Sequence, residues 1–189
     1  AMGLQLPGAS FVNPDLPLRD ALTAHAAQQV TRLTAKSNQY TPLGEQVDAR
    51  ALVNALVALV ASGGSTNHCI HLIAIARSAG YVMTWSDFDA ISKATPLLAR
   101  VYPNGQADIN HFHAAGGTGV LFQNLLSDGL MHSDALTCLG LPFSDFVREP
   151  SLVNEDIHWL KPPSSSLDDS VIRGTNAPFA EEGGLRLLK

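Results

Sequence analysis

The sequence predicts a helix-rich α/β fold with a few short strands. Two long apolar segments with helical spacing, residues 49–62 and 65–79, follow each other and are separated by two glycines. Shorter helical patterns alternate with glycine and proline turns through the rest of the chain. With 46% hydrophobic residues among 189, the chain can bury the core of one domain.

The first predicted helix covers residues 18–35, where apolar side chains recur on one face at Leu18, Leu22, Ala26, Val30 and Leu33. Asp48 is placed to cap the second helix, residues 49–62. That helix is apolar all round, so we expect it to be buried on every side. Asn54 in its middle then requires a hydrogen-bond partner.

The third helix, residues 65–79, ends before Gly80 and is also expected to be buried. Residues 81–85 are predicted to form a short strand, and Ser86 with Asp89 resembles a capping box that starts a helix ending near residue 93. Residues 96–102 are predicted to be extended and 103–105 to form a turn. Short helices are predicted at 109–115, from the glycines of 116–119 to residue 127, and at 144–148.

Composition limits the kinds of function. Residues 1–160 read as one helix-rich core segment and residues 161–189 as a linker-like tail. Charged residues make up 15%, against about a quarter in typical domains, which predicts a surface covered by another domain or subunit. The net charge of −5 without a basic cluster makes nucleic acid an unfavourable partner. The most apolar stretch, residues 51–61, is too short to span a bilayer.

The glycine turn before the third helix is a candidate anion site. Gly64, Ser65, Thr66 and Asn67 lead into the helix, whose first N–H groups and positive dipole end attract carboxylate or phosphate. The alternative is a glycine turn with an ordinary cap, because such helix starts are common. The lysine of a phosphate-binding P-loop and the glycine spacing of a dinucleotide site are missing.

Polar residues near the glycines at 105, 116 and 117 form a second candidate group: Asn104, Asp108, Asn110 and His111. Polar side chains on a loop between rigid elements are typical of binding sites. The alternative is a structural role in turns and helix capping. Paired histidines such as His68 and His71 could hold a metal ion, but nearby carboxylates are few, so we predict no metal site in this chain.

The two cysteines, Cys69 and Cys138, give no disulfide framework, which fits a cytoplasmic setting. Cys69 lies in the first turn of a predicted helix, where a thiolate is favoured, but a lone cysteine among apolar residues is more often buried. An iron–sulfur cluster generally needs three or four cysteines, so this chain cannot hold one alone.

Taken together, these segments resemble the central part of the dihydroxy-acid/6-phosphogluconate dehydratase family. The likeness covers nearly the whole chain and is carried by residues 2–8, 17–23, 63–68, 98–105, 107–112, 114–117, 178–179 and 183–184. The Gly-Gly-Ser-Thr-Asn stretch is shared across the family. The stretch from Pro103 to Phe112 is more particular to the phosphogluconate branch, which it therefore favours.

The resemblance implies a hydro-lyase that dehydrates 6-phospho-D-gluconate to 2-dehydro-3-deoxy-6-phosphogluconate in the Entner–Doudoroff pathway. It implies an iron–sulfur cluster, either [4Fe-4S] or [2Fe-2S], and a magnesium ion in the complete enzyme, together with a homodimer. Gly64, Ser65, Thr66, Asn67, Asn104, Asp108, Asn110 and His111 are then candidates for substrate binding. The alternatives are a dehydratase for another sugar acid or dihydroxy acid, and a non-catalytic module that binds anions or a partner protein.

The chain departs from the family pattern at its chemistry. In the family, the cluster cysteines precede the segment matched here, and the base and part of the metal site follow it in a C-terminal domain. Cys69 and Cys138 do not match the cluster positions. We therefore expect a central segment without catalytic residues, inactive by itself, whose partners are a phosphorylated sugar acid and the rest of its own chain.

Overall fold

The computed structural model describes residues 1–188 and confirms the helix-rich α/β prediction. In chain order the elements are a 3-10 turn at Ala9–Phe11, helices α1 (Pro17–Arg32), α2 (Leu43–Gln46), α3 (Ala49–Ser62), α4 (Thr66–Ser78), α5 (Trp85–Ala94), α6 (Ile109–Ala114), α7 (Gly117–Ser127) and α8 (Phe143–Phe146), and strands β1 (Glu149–Val153) and β2 (Asp156–Leu160). Within this described range, no helix combines the length and hydrophobicity needed to cross a bilayer.

Helix α3 is the centre of the fold, as its sequence predicts. Asp48 caps it by accepting a hydrogen bond of 2.9 Å from the Ala51 N–H. Nearly every side chain from Ala51 to Ala61 is buried. One side of the helix packs against α4 and α5, and the other side joins the core around α7.

The buried amide of Asn54 finds its partner in a distant loop. Its Nδ2 donates to the His132 carbonyl at 2.9 Å, and its Oδ1 accepts from the His132 N–H at 2.7 Å. Because Asn54 is 0% exposed, these two bonds meet the requirement stated from the sequence. They also fix the 131–135 segment against the middle of α3.

The prediction that α4 is buried all round is wrong. Its buried side chains, Cys69, Leu72 and Ala76, lie on the one face that meets α3. Ile70 is 62% exposed on another face. The hydrophobic pattern of a helix shows which of its faces are apolar. The burial of those faces depends on whether neighbouring elements cover them.

Four local predictions are corrected. Residues 81–85 form no strand: Trp85 already begins α5, whose capping box uses Thr84 and Asp87 instead of Ser86 and Asp89. The apolar face of α1 is buried at Leu22 but not at Val30, which is 66% exposed. The helix ends at Arg32, three residues before the predicted end.

The β1–β2 hairpin was missed from the sequence. Its strands pair antiparallel, with Glu149 opposite Leu160 and Val153 opposite Asp156. Asn154 and Glu155 both have positive φ, at 50° and 69°, as a two-residue type I′ turn requires. The usual Asn-Gly signal is absent because glutamate occupies the second position.

The region after the hairpin returns to the core. Extended residues 97–101 form bridges to Ala180 and Ile172, and Ile172 is buried in the same cluster as α7. The extended conformation is therefore confirmed for residues 96–101, whereas Tyr102 already belongs to the turn. The turn at 103–105 and the helices α6, α7 and α8 are confirmed within a few residues. The domain boundary near residue 160 and a following C-terminal domain stay predictions.

We expect Asn54→Ala to lower the free energy of unfolding by about 2–4 kcal/mol, because it removes two hydrogen bonds and leaves the backbone groups of His132 without their partner. Urea denaturation followed by circular dichroism measures the change. Asn38→Ala, in the exposed loop before α2, is the matched control and should change stability by less than about 0.5 kcal/mol. Equal effects of the two substitutions would contradict this role for Asn54.

Candidate functional site

The two glycines between α3 and α4 end the first helix before the second begins. Gly63 has φ 60°, and its N–H bonds to the Val60 carbonyl, while the Gly64 N–H bonds to the Leu59 carbonyl at 3.0 Å. These paired bonds are a Schellman motif, which satisfies the last carbonyls of a helix. The glycine turn is therefore a helix end and a helix start combined.

Ser65 is the N-cap of α4, as expected. Its Oγ accepts from the Asn67 N–H at 3.2 Å, and its carbonyl accepts from the His68 N–H at 2.9 Å. The positive end of the helix dipole therefore lies at Ser65 and Thr66.

Three segments that are distant in the chain meet at Gly63. The Asn104 Nδ2 donates to the Gly63 carbonyl at 2.8 Å, and the Gly184 N–H donates to the Val60 carbonyl at 2.8 Å. A Cβ added at Gly63 would lie 2.0 Å from the Asn104 Nδ2, and one added at Gly184 would lie 2.5 Å from the Gly63 Cα. The Asn104 amide and the Gly184 backbone thus pack so closely on the turn that neither glycine has room for a side chain.

An open cleft of about 820 Å³ lies in front of this junction. Its polar lining comes from the glycine turn, from Asn104 and from hydroxyl groups on other elements, and its apolar lining comes from α3, α6 and α7. The lining includes Ser10, Phe11, Ser62, Gly63, Gly64, Ser65, Thr66, His68, Tyr102, Asn104, Phe112, Thr118, Leu121 and Gly184. Pockets of this size hold small molecules, and a few convergent polar groups orient them.

Four of the eight predicted site residues come together in this cleft: Gly64, Ser65, Thr66 and Asn104. The remaining four are Asn67, Asp108, Asn110 and His111, and they are exposed beside it without lining it. A direct role for any of the eight stays a prediction.

Asp108 and His111 already have a structural task. The Asp108 Oδ1 accepts from the N–H groups of Asn110 and His111 at 2.8 and 3.0 Å, and it lies 2.8 Å from the His111 Nδ1. This capping box starts α6. Hydrogen bonds from the His111 backbone and imidazole lower the pKa of Asp108.

Sequence reasoning missed several residues of the cleft. Ser62, Thr118 and Gly184 line it from the end of α3, the first turn of α7 and the C-terminal tail. His68 was considered only as a metal ligand. The signal for Thr118 was its position in the first turn of a glycine-led helix, next to the polar group at 104–111.

A half-buried carboxylate supports the helix that carries Thr118. The Glu149 carboxylate accepts a hydrogen bond from the Gly119 N–H, whereas Gly116, the N-cap of α7, has no side chain that could accept from the first turn. Burial raises the pKa of Glu149 to about 7, and the Gly119 hydrogen bond lowers it by a smaller amount. Near neutral pH, protonation of Glu149 therefore affects the free energy of unfolding.

The residues present do not fit an iron–sulfur cluster. Cys69 lies in the apolar core beside Leu72, whereas Cys138 is near the Gln5 carbonyl at 3.4 Å. Burial raises the pKa of both thiols, which disfavours the thiolate needed as a ligand. Within residues 1–188, no three side chains of the kinds that bind metals are grouped together.

Comparison with known proteins assigns the class. The family model of the N-terminal region of dihydroxy-acid/6-phosphogluconate dehydratases matches residues 1–145. The chain is 53% identical to a phosphogluconate dehydratase of Pseudomonas aeruginosa and 52% identical to one of Escherichia coli K12, over 100% and 99% of its own length. It is 33% identical to a dihydroxy-acid dehydratase of Metallosphaera sedula.

The chain therefore belongs to the dihydroxy-acid/6-phosphogluconate dehydratase family. It is more similar to these relatives named phosphogluconate dehydratase than to the dihydroxy-acid dehydratase. It spans about 31% of the length of each of these relatives.

Crowding at Gly63 predicts a large difference between two glycines with similar backbone angles. Gly80 has φ 84° with no atom near an added Cβ, so Gly80→Ala should cost about 1 kcal/mol, for strain alone. Gly63→Ala should cost about 3 kcal/mol or more, because Asn104 must also move and release the Gly63 carbonyl. Thermal or urea unfolding measures both. Equal losses would show that the junction can relax.

The buried carboxyl predicts a pH dependence with a definite sign. Between the ordinary pKa of 4.5 and the folded value of about 7, the folded chain holds more protons at Glu149 than the unfolded chain does. The free energy of unfolding should therefore fall across this interval and level off above it. Allowing for partial exposure, the fall at Glu149 is about 1–2 kcal/mol.

Urea denaturation at pH 5 and pH 8 tests this contribution. Glu149→Gln, which keeps an acceptor for Gly119, should lose less stability than the wild type between the two pH values. Glu155→Gln, at the exposed hairpin turn, should behave like the wild type. A wild-type slope in Glu149→Gln would refute the assignment.

Proposed function

We propose that this chain is part of a hydro-lyase that dehydrates 6-phospho-D-gluconate to 2-dehydro-3-deoxy-6-phosphogluconate in the Entner–Doudoroff pathway, and that its cleft is one wall of the substrate site. The observation that carries the proposal is the meeting of the family's Gly-Gly-Ser-Thr-Asn turn, Asn104 and Gly184 at one cleft. High identity to phosphogluconate dehydratases over the whole chain supports the choice of substrate.

In this proposal the chain binds and orients an anionic substrate. Ser65 and Thr66 face the cleft at the positive end of α4, where a carboxylate or phosphate is stabilised. Asn104 fixes the carbonyl of Gly63, so that the turn keeps its shape when the ligand enters. Asn67, Asp108, Asn110 and His111, at the edge of the cleft, are proposed to select among sugar acids.

The cluster and the magnesium ion that the family implies would bind to other parts of the complete enzyme, because the chain has only two cysteines, one of them in the apolar core, and no carboxylate lines the described cleft. We assign no catalytic step to this chain and expect it to be inactive alone. A homodimer of the complete enzyme and a cytoplasmic location stay predictions.

Two alternatives are kept. A dehydratase for a related sugar acid or dihydroxy acid is supported by the 33% identity to a dihydroxy-acid dehydratase. A non-catalytic module that binds anions is supported by the cleft itself, which holds polar groups but no charged carboxylate among its described lining residues.

Titration of the chain with 6-phosphogluconate, followed by amide NMR shifts, tests the binding. We expect saturable shifts at residues 64–68 with a dissociation constant on the order of millimolar, weak because much of the enzyme is absent. Gluconate and 2,3-dihydroxyisovalerate should bind more weakly. Stronger binding of dihydroxyisovalerate would favour the dihydroxy-acid alternative, and the absence of saturable shifts would contradict the proposal.

In the complete enzyme, Thr66→Val should raise KM or lower kcat by about ten-fold or more, because it removes a hydroxyl that meets a charged ligand while keeping the side-chain shape. The control is Thr31→Val, at an exposed position near the end of α1, which should leave both constants unchanged. Steady-state kinetics with 6-phosphogluconate gives the constants. Unchanged constants in Thr66→Val would remove this residue from the site.

A further inference from the structure

The lining of the cleft contains one histidine, His68. Among its lining residues, which all belong to the described chain, His68 is the only lysine, arginine, histidine, aspartate or glutamate. The other polar groups are hydroxyls, backbone groups and the Asn104 amide. Ala1 also lines the cleft, and burial lowers the pKa of its α-amino group to about 5. An anion in this cleft would therefore meet no permanently positive side chain.

His68 has surroundings that disfavour its charged form. It is half-buried in the first turn of α4, where the helix dipole opposes a positive charge. Burial lowers its pKa most, followed by the α-amino group of Ala1 and the imidazole of His71. From α3 and the 101–104 loop, the cleft receives Ser62, Tyr102 and Asn104 as polar side chains, none of them a fixed charge.

We propose that His68 is the residue that supplies positive charge to the anionic end of the ligand, and that ligand binding takes up a proton there. This inference rests on the proposed function, since it requires a carboxylate or phosphate in the cleft. An anion nearby favours the imidazolium form, and by linkage the imidazolium form favours the anion by the same factor. A neutral ligand of the same shape would gain nothing from protonation.

The consequence is selectivity for charge. A neutral imidazole costs little to bury in this cleft, whereas a charged lysine there would have to be paired. When the anion enters, its charge is matched by a proton from solvent. Affinity should therefore be greater on the acid side of neutrality, with up to a ten-fold gain for each unit by which binding raises the pKa of His68.

The direct test is an NMR titration of the His68 ring proton against pH, without and with saturating 6-phosphogluconate, on the chain with its N-terminus acetylated to remove the Ala1 amine. We expect the ligand to raise the midpoint of His68 by about one pH unit or more. His71, exposed on the next turn of α4, is the internal control and should move much less.

Calorimetry in two buffers of different ionisation enthalpy measures proton uptake at pH 7. Wild type should take up more protons than His68→Asn, while His158→Asn, at an exposed position of β2 outside the cleft, should match wild type. The phosphate of the ligand titrates equally in all three, so the difference isolates His68. Saturable binding with an unmoved His68 midpoint would overturn this inference alone. No saturable binding would overturn the proposed function, and this inference with it.

Discussion

The close approach of backbone segments at Gly63 is the constraint on which the rest of the structure depends. Helix α3 is buried on nearly all sides and ends there, in a left-handed turn that leaves no room for a side chain. Asn104 binds the turn from one side, and Gly184 packs on it from the other. Because the core, the start of α4 and the cleft all meet at this point, the packing that stabilises the domain also shapes the candidate site.

Local signals in the sequence predicted the centre of the fold accurately. Asp48 and Gly63 fixed both ends of α3, because a capping carboxylate and a left-handed glycine are strong and local determinants. The β1–β2 hairpin was not predicted because its turn contains no glycine. Asn154 and Glu155 take positive φ there, and the pairing of the two strands stabilises this conformation. The burial of α4 was overestimated because coverage of a helix is a property of its neighbours and not of its own pattern.

The candidate site was predictable only in part, for a related reason. Ser65 and Thr66 were recognisable since a cap and the dipole of its helix are encoded within a few residues. That Asn104 binds the carbonyl of Gly63 is a tertiary fact, and spacing along the chain does not reveal it. In the sequence, Asp108 and His111 fitted a binding loop and a helix cap equally well. The structure shows that they form the cap of α6. Thr118 and His68 become candidates for binding only because the folded chain places them in the lining of the cleft.

The hydrogen bonds that hold the core and the cleft connect residues that are far apart in the chain: Gly63 and Asn104 are 41 positions apart, Asn54 and His132 are 78 apart, and Ser92 and Leu185 are 93 apart. Closing such long loops costs conformational entropy, which must be lost before the contacts between their ends can stabilise the fold. Helix α3 can nucleate early from its own neighbours, whereas the cleft is complete only when the C-terminal tail has reached the end of that helix. The glycine turn therefore lacks one side of its packing in any partly folded state in which residues 183–185 have not yet docked on the end of α3.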